Sequence, residues 1–552
     1  MLRSCPRHQT NRSDLFNLLQ SDRFAVKCLI SLFWALTTSL TPASAAEQIS
    51  FQLGEFERSV SIEELSQFAA GNPPGPGLKE TLRLLKPSEQ KALRSALNQA
   101  APVDSVMASN YLGTALGKRT LQQLVKLLNQ PANVASNALA SALIVGASRS
   151  DNLSMIDVLQ AYPLPTIPVN VLAVGSLARA LSQEFNLQNK LFSRLSRLGE
   201  PVGQGPDLSA AAQNGSVTFQ KLPFSFKGRF VNKINAGFYL PQTATESSKA
   251  SLVVLAPGLN TDMNALLYVG RLLASHGYAV ASLNFPFTSS DTVTAAIEGT
   301  GAIPPANAWY HQPLNVSDLI DQVKTRWGSR VNTQNVGVLG QSLGGYTVTA
   351  LAGAELDWPH LVAGCRQLND PKTVVLNPAV VWQCAAPNRV VRRLSFRDAR
   401  VKVAVAVNPV TNPIFSRRSM GKVAVPMLVI AGMKDVFAPP VSQQLKPFTA
   451  LQRSDSVLVV QKNGTHLSFL DGTSDLPEIV IGPDQPLART ELQGLAKLFF
   501  DRHLLNLNST PNLAPKGNNA YLTGETPLQL LLRSSLTMQQ LEQVEPGLKE
   551  VP

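Results

Sequence analysis

Charge is scarce in this chain of 552 residues: Asp, Glu, Lys and Arg make up 16% of it, against 44% hydrophobic residues. That balance excludes a disordered or coiled-coil protein and suits buried strands. Beyond the first 45 residues no apolar run approaches the ~20 residues needed to cross a bilayer. No nucleic-acid motif accompanies the formal charge of +12, so no nucleic-acid partner is expected. Histidine is rare, with 6 in the chain, and none lies between Ile49 and Pro165. The front of the protein therefore offers no imidazole base. The length exceeds one ordinary core and implies at least two domains.

What is present at the N-terminus reads as a secretory leader. Arg3, Arg7, Arg12, Arg23 and Lys27 precede the apolar stretch Cys28 to Leu40, and Ala43-Ser44-Ala45 then offers small residues for a cut before Ala46. An uncleaved anchor is the alternative. Removing the leader takes away five basic and two acidic residues, lowering the charge from +12 to +9. It also removes Cys5 and Cys28, so the mature, exported protein, periplasmic or secreted, keeps the even pair Cys365 and Cys384. These are expected to form a disulfide rather than two free thiols.

Residues 46–200 read as a helical domain and linker, with the pattern clearest from Ile49 to about Pro165. Ser61-Ile-Glu-Glu64 has capping-box spacing. After the Gly- and Ala-rich stretch ending near Gly215 the character changes. Short β-branched runs recur at Ser216–Phe219, Phe230–Tyr239, Ser251–Leu255, Ala279–Leu283, Val336–Leu339, Val403–Val407, Met427–Ala431 and Ser456–Val460. Helical stretches alternate with them from Ser251 onward, which predicts an α/β domain over 201–505: a mostly parallel sheet covered on both faces. Insertions at 285–313 and 355–400 should shape a pocket mouth. The tail, 506–552, ends in a leucine-rich stretch read as helical.

Val336-Gly-Val-Leu339 runs into Gly340-Gln-Ser342-Leu-Gly344-Gly345 and an Ala-rich segment, the strand–turn–helix context of a nucleophile elbow, with Ser342 as nucleophile. A serine hydroxyl needs a base. In an elbow of this kind the chain order is Ser, then Asp or Glu, then His, leaving His360, His466 and His503. His360 follows the elbow too closely, and His503 lies in an apolar helix. His466, in the loop Asn463-Gly-Thr-His466 after a strand, fits. Asp435, following the strand Val425–Gly432, is the expected acid, with Asp370 and Asp398 as substitutes. For an oxyanion, the backbone amide of Leu343 and one from Pro257-Gly258-Leu259 are the candidate donors, either Leu259 or Gly258.

These residues carry a resemblance. From about Ser251 to Leu505 the chain resembles bacterial relatives of platelet-activating-factor acetylhydrolase and dienelactone hydrolase, through Pro257-Gly-Leu259, Ser275-His-Gly-Tyr278, Gly340-Gln-Ser-Leu-Gly-Gly345, Asp435 with Ala438-Pro439, and Gly464-Thr-His466. The stretch around Gly54 to Glu64 resembles the helical domain that precedes such hydrolases in cyanobacterial proteins. The resemblance implies an α/β-hydrolase fold and a Ser–Asp–His ester hydrolase that uses no metal or other cofactor. The expected substrate is a small-molecule or lipid ester; a catalytically silent binding protein on the same fold is the alternative. Arg389, Arg392, Arg393, Arg397, Arg400 and Lys402 beside Trp382 suggest a peripheral contact with an anionic membrane surface.

Overall fold

The computed structural model describes residues 45–544 apart from 54–55, 84, 150–151, 199–200, 386–393, 474–475, 477, 514, 516–518 and 524–527. The leader lies outside the described residues, as do Arg389, Arg392 and Arg393. Among the described residues no helix is long and apolar enough to cross a membrane. The chain divides into two compact units, one built from 45–102 and 137–168, the other from 103–136 and 169 onward.

The first unit is not purely helical. Gln48–Leu53 and Phe56–Ser61 pair as antiparallel strands, and Thr166–Val169 joins their sheet. The reason lies in a period of two: Ile49 and Phe51 face one side and pack on the cluster of Val60, Leu65, Phe68, Leu78 and Leu82. Ser61 does occupy the first position before helix Ile62–Ala69, but its side chain makes no cap bond. Glu64 turns away instead and accepts from the amides of Leu78 at 2.9 Å and Gly77 at 3.3 Å, capping the neighbouring helix Pro76–Leu82. A reciprocal capping box does form at Ser154 and Asp157.

The second unit is organised by an 11-stranded sheet. Its centre is six parallel strands in the spatial order Val457–Gln461, Met427–Gly432, Val401–Val407, Val331–Gln341, Ala250–Ala256, Ala279–Leu283. Each of the six overlaps a run read as a strand from sequence. Ile234–Pro241 and Phe219–Phe226 extend the sheet antiparallel at one edge. Both faces are buried: along Ala250–Ala256, Leu252, Val254 and Ala256 enter one core while Val253 and Leu255 enter the other. Helices Gln312–Trp327 and Leu343–Ala352 cover the first face, and Leu267–Ser275 and Gln485–His503 the second. Burial on both sides is what makes these strands continuous apolar runs.

Two parts of the chain differ from their sequence reading. The leucine-rich tail was expected to be helical, yet Leu530–Arg533 is a strand, antiparallel to Val457–Gln461 and itself paired with Ala520–Thr523; helix follows only at Met538–Val544. The open edge of the sheet recruits those leucines, with Leu530 and Leu532 in one core and Leu531 in the other. The expected boundary near Pro201 falls inside the second unit. Leu191, Phe192 and Leu195 of helix Val171–Leu195 sit in the sheet's core, and the buried Arg533 guanidinium donates to the carbonyls of Leu195 and Leu198.

Candidate active site

Ser342 stands where strand Val331–Gln341 turns into helix Leu343–Ala352, with φ 57° and ψ −115°. A non-glycine residue with positive φ is a strained arrangement that surrounding structure must impose. Here the packing of backbone on backbone imposes it. A Cβ at 340 would lie 2.2 Å from the Gly344 carbonyl oxygen, and one at 344 would lie 1.9 Å from that of Ala256. Only glycine fits either place. The Ser342 N–H donates to Val407 O at 2.9 Å, and Ser342 O accepts from Tyr346 at 3.1 Å and Val410 at 3.2 Å.

The sheet brings the three expected side chains together. Asp435 follows strand Met427–Gly432 and His466 follows Val457–Gln461, so both emerge at the same sheet edge as the serine. His466 Nε2 lies 2.8 Å from Ser342 Oγ, and Nδ1 lies 2.7 Å from Asp435 Oδ2. Asp435 is fully buried; its other oxygen accepts from the amides of Phe437 at 2.9 Å and Ala438 at 2.7 Å. With three donors on one carboxylate, its orientation toward the imidazole is fixed. The Leu343 and Leu259 amides have no internal acceptor among the described residues, and both residues line the cleft beside Ser342. Gly258 lies behind them: a Cβ there would meet Gln341 Oε1 at 2.8 Å and Ser342 Cβ at 3.2 Å.

The other candidates stand elsewhere. Asp398 pairs with Arg400 at 2.6 Å and accepts from Ser317, which holds its carboxyl below the usual range despite burial; exposed Asp370 caps Thr373. His503 packs on Phe499 and His276 ends helix Leu267–Ser275; His360 lines a separate hollow. Arg400, from the basic run, is neutralised by Asp398 and Asp321.

Sequence reading missed the groups that hold the histidine loop. Asn408, buried and at φ 44°, donates through Nδ2 to Thr465 O at 2.9 Å and His466 O at 3.3 Å, and its Oδ1 accepts from Gly432 N at 2.8 Å. Gln341, beside the nucleophile, donates to His466 O at 2.9 Å. The one signal was position: a polar residue ending the apolar strand Val401–Val407, next to Pro409. Behind the elbow helix, Gln312 donates to Thr288 Oγ1 at 2.7 Å and accepts from Thr347 at 2.6 Å, while Thr288 O accepts from Asn260 N at 2.8 Å. The first insertion is thereby tied to the loop that carries Leu259.

The cleft above Ser342 and His466 has a volume of about 350 Å³ and mostly apolar walls, among them Leu259, Trp382, Val410, Phe437 and Leu467. Trp382 comes from the second insertion, where Cys365 and Cys384 are joined in a disulfide with Cα atoms 5.5 Å apart. Among the described residues no group of three or more His, Cys, Asp or Glu side chains could hold a metal ion. A comparison with curated protein sequences finds no match. Residues 45–170 match the model of a family described as alpha/beta hydrolase of unknown function (DUF1400), and the parallel sheet with its strand–serine–helix elbow is the architecture of an α/β hydrolase.

Proposed function

We propose that the protein is a serine hydrolase that cleaves a carboxylic ester through an acyl-Ser342 intermediate. The observation that carries this reading is the unbroken hydrogen-bonded chain from Asp435 through His466 to Ser342, at 2.7 and 2.8 Å, opening into an apolar cleft. His466 Nε2 takes the hydroxyl proton as Ser342 Oγ attacks the ester carbonyl, and Asp435 stabilises the imidazolium that forms. The carbonyl oxygen, now negative, meets the Leu343 and Leu259 amides. The tetrahedral adduct expels the alcohol, which receives the proton from His466. Water then enters, gives a proton to His466, attacks the acyl carbon and releases the carboxylic acid as Ser342 regains its hydrogen. Export is part of the same proposal, supported by the leader pattern and by the disulfide.

A fluorophosphonate should label wild-type protein at Ser342 and leave Ser342→Ala unlabelled. On a nitrophenyl ester, Ser342→Ala and His466→Ala should each lower turnover by on the order of a millionfold, and Asp435→Ala by about ten-thousandfold. The double variant should be little worse than either single one. A folded wild-type protein that neither labels nor turns over any ester would be a binding protein instead.

A further inference from the structure

Beside the catalytic cleft lies a second cavity of about 140 Å³, and the two share Leu259 and Trp382 as walls. Its far side is built by residues well before the sheet: Tyr111 of helix Ser105–Gly113, and Leu116 of helix Ala115–Val125. The first insertion closes it with Ile297, Ile303 and Ala306. Among the described residues no charged side chain lines it. Its hydroxyls are all engaged: Tyr111 with Thr120 at 3.1 Å, Thr114 with Tyr111 O at 2.6 Å and Gly117 N at 2.9 Å, and Thr288 with Gln312. Each of these hydroxyls thus already has an internal partner, and the walls select an occupant chiefly for apolar surface. The helix pair is fixed in place by polar bonds to both insertions. Asn110 donates to Ile297 O at 2.8 Å, buried Gln123 donates to Leu368 O at 2.9 Å, and Lys126 reaches Leu368 O and Thr373 O, both at 2.8 Å.

We infer that this cavity receives the hydrocarbon chain of the ester, entering past Leu259 and Trp382 from the carbonyl held at Ser342, so that residues 105–125 set chain-length specificity. The inference rests on the hydrolase reading above. An apolar cavity of about 150 Å³ accommodates a benzene-sized group, so this one takes roughly six carbons beyond the cleft. Each methylene buried there should raise kcat/KM by about fourfold until the space is filled.

The test uses the mature full-length protein with two ester series from two to twelve carbons, one lengthening the acyl chain of nitrophenyl esters, the other the alcohol of alkyl acetates. The series with the rising profile identifies which side of the ester carries the chain. Ala306→Phe and Leu116→Phe fill the cavity from two different elements. Each should lower the octanoate-to-acetate ratio of kcat/KM, or its alcohol-series counterpart, by at least tenfold, and Leu116→Ala should move the optimum to longer chains. Flat profiles in both series, or an unchanged ratio in either filling variant shown to be folded by circular dichroism, would overturn the inference while leaving acetate hydrolysis, and so the hydrolase reading, intact. Absence of all turnover and of fluorophosphonate labelling in the wild type would remove both.

Discussion

Asn408 offers the sharpest test of how the histidine is held, because one side chain serves both loops of the relay. Asn408→Ala strips the acceptor from Gly432 N and a donor from Thr465 O, while His466 O keeps its bond from Gln341. Two buried backbone groups are left unpaired, each costing about 1–3 kcal/mol. Alanine at a φ of 44° adds about 1 kcal/mol of backbone strain. The total, roughly 3–7 kcal/mol, should appear as a large fall in the urea midpoint. Freed from its tether, the loop lets the imidazole drift from Ser342, and a displacement near 1 Å lowers kcat by about a hundredfold. Asn408→Asp keeps the size and the acceptor but turns an oxygen toward Thr465 O and His466 O. Only its protonated form can donate there, so its urea midpoint should recover as pH falls, a trend absent from Asn408→Ala. A kcat within twofold of wild type together with an unmoved urea midpoint for Asn408→Ala would refute the idea that this amide positions His466.

Two further expectations concern stability. Burial pushes the Glu491 carboxyl up to about 8, with Gln461 donating to one of its oxygens. Between its ordinary value of 4.5 and about 8 the folded state holds a proton that the unfolded chain has lost, so this group's contribution to stability falls as pH rises through that window and is flat above it. Glu491→Gln should therefore have the higher Tm at pH 8.5, by an amount equivalent to a few kcal/mol, and a Tm close to wild type at pH 5; a gap that does not change with pH would contradict this. Replacing Cys365 and Cys384 by serine releases a 19-residue separation and should cost about 3 kcal/mol. Since the bonded segment carries Trp382 into the cleft, KM for long-chain esters should also rise; intact mass showing two free thiols in exported wild-type protein would dispose of the pairing.

What the sequence disclosed depended on how local the cause was. The six parallel strands are buried on both faces, so their apolar runs stand out, and the elbow is legible because steric crowding at positions 340 and 344 leaves no alternative to glycine. His466 and Asp435 stood out as candidates because each follows such a strand. The tail and the front misled for the same reason. Leu530–Arg533 becomes a strand only because a sheet edge waits for it, and Gln48–Ser61 is too short a stretch for its period of two to dominate the helices that follow. Asn408 and Gln341 act through backbone carbonyls more than fifty residues away in sequence, and no spacing announces such a bond. The helices at 105–125 likewise carry no chemistry of their own, and their place in the second unit follows only from long-range packing.

The strand Leu530–Arg533 holds none of the reactive groups, yet it covers the side of Val457–Gln461, the strand that leads to His466. A ribosome finishes every residue of the relay well before it makes this cover. Chains stopped short of it carry the full set of reactive groups beside a row of unpaired amides and carbonyls, which is a template for strand addition between neighbours. Nonsense changes between Leu505 and Leu530 would therefore surface as insoluble protein, and an assay of the proposed activity alone would look for the wrong phenotype.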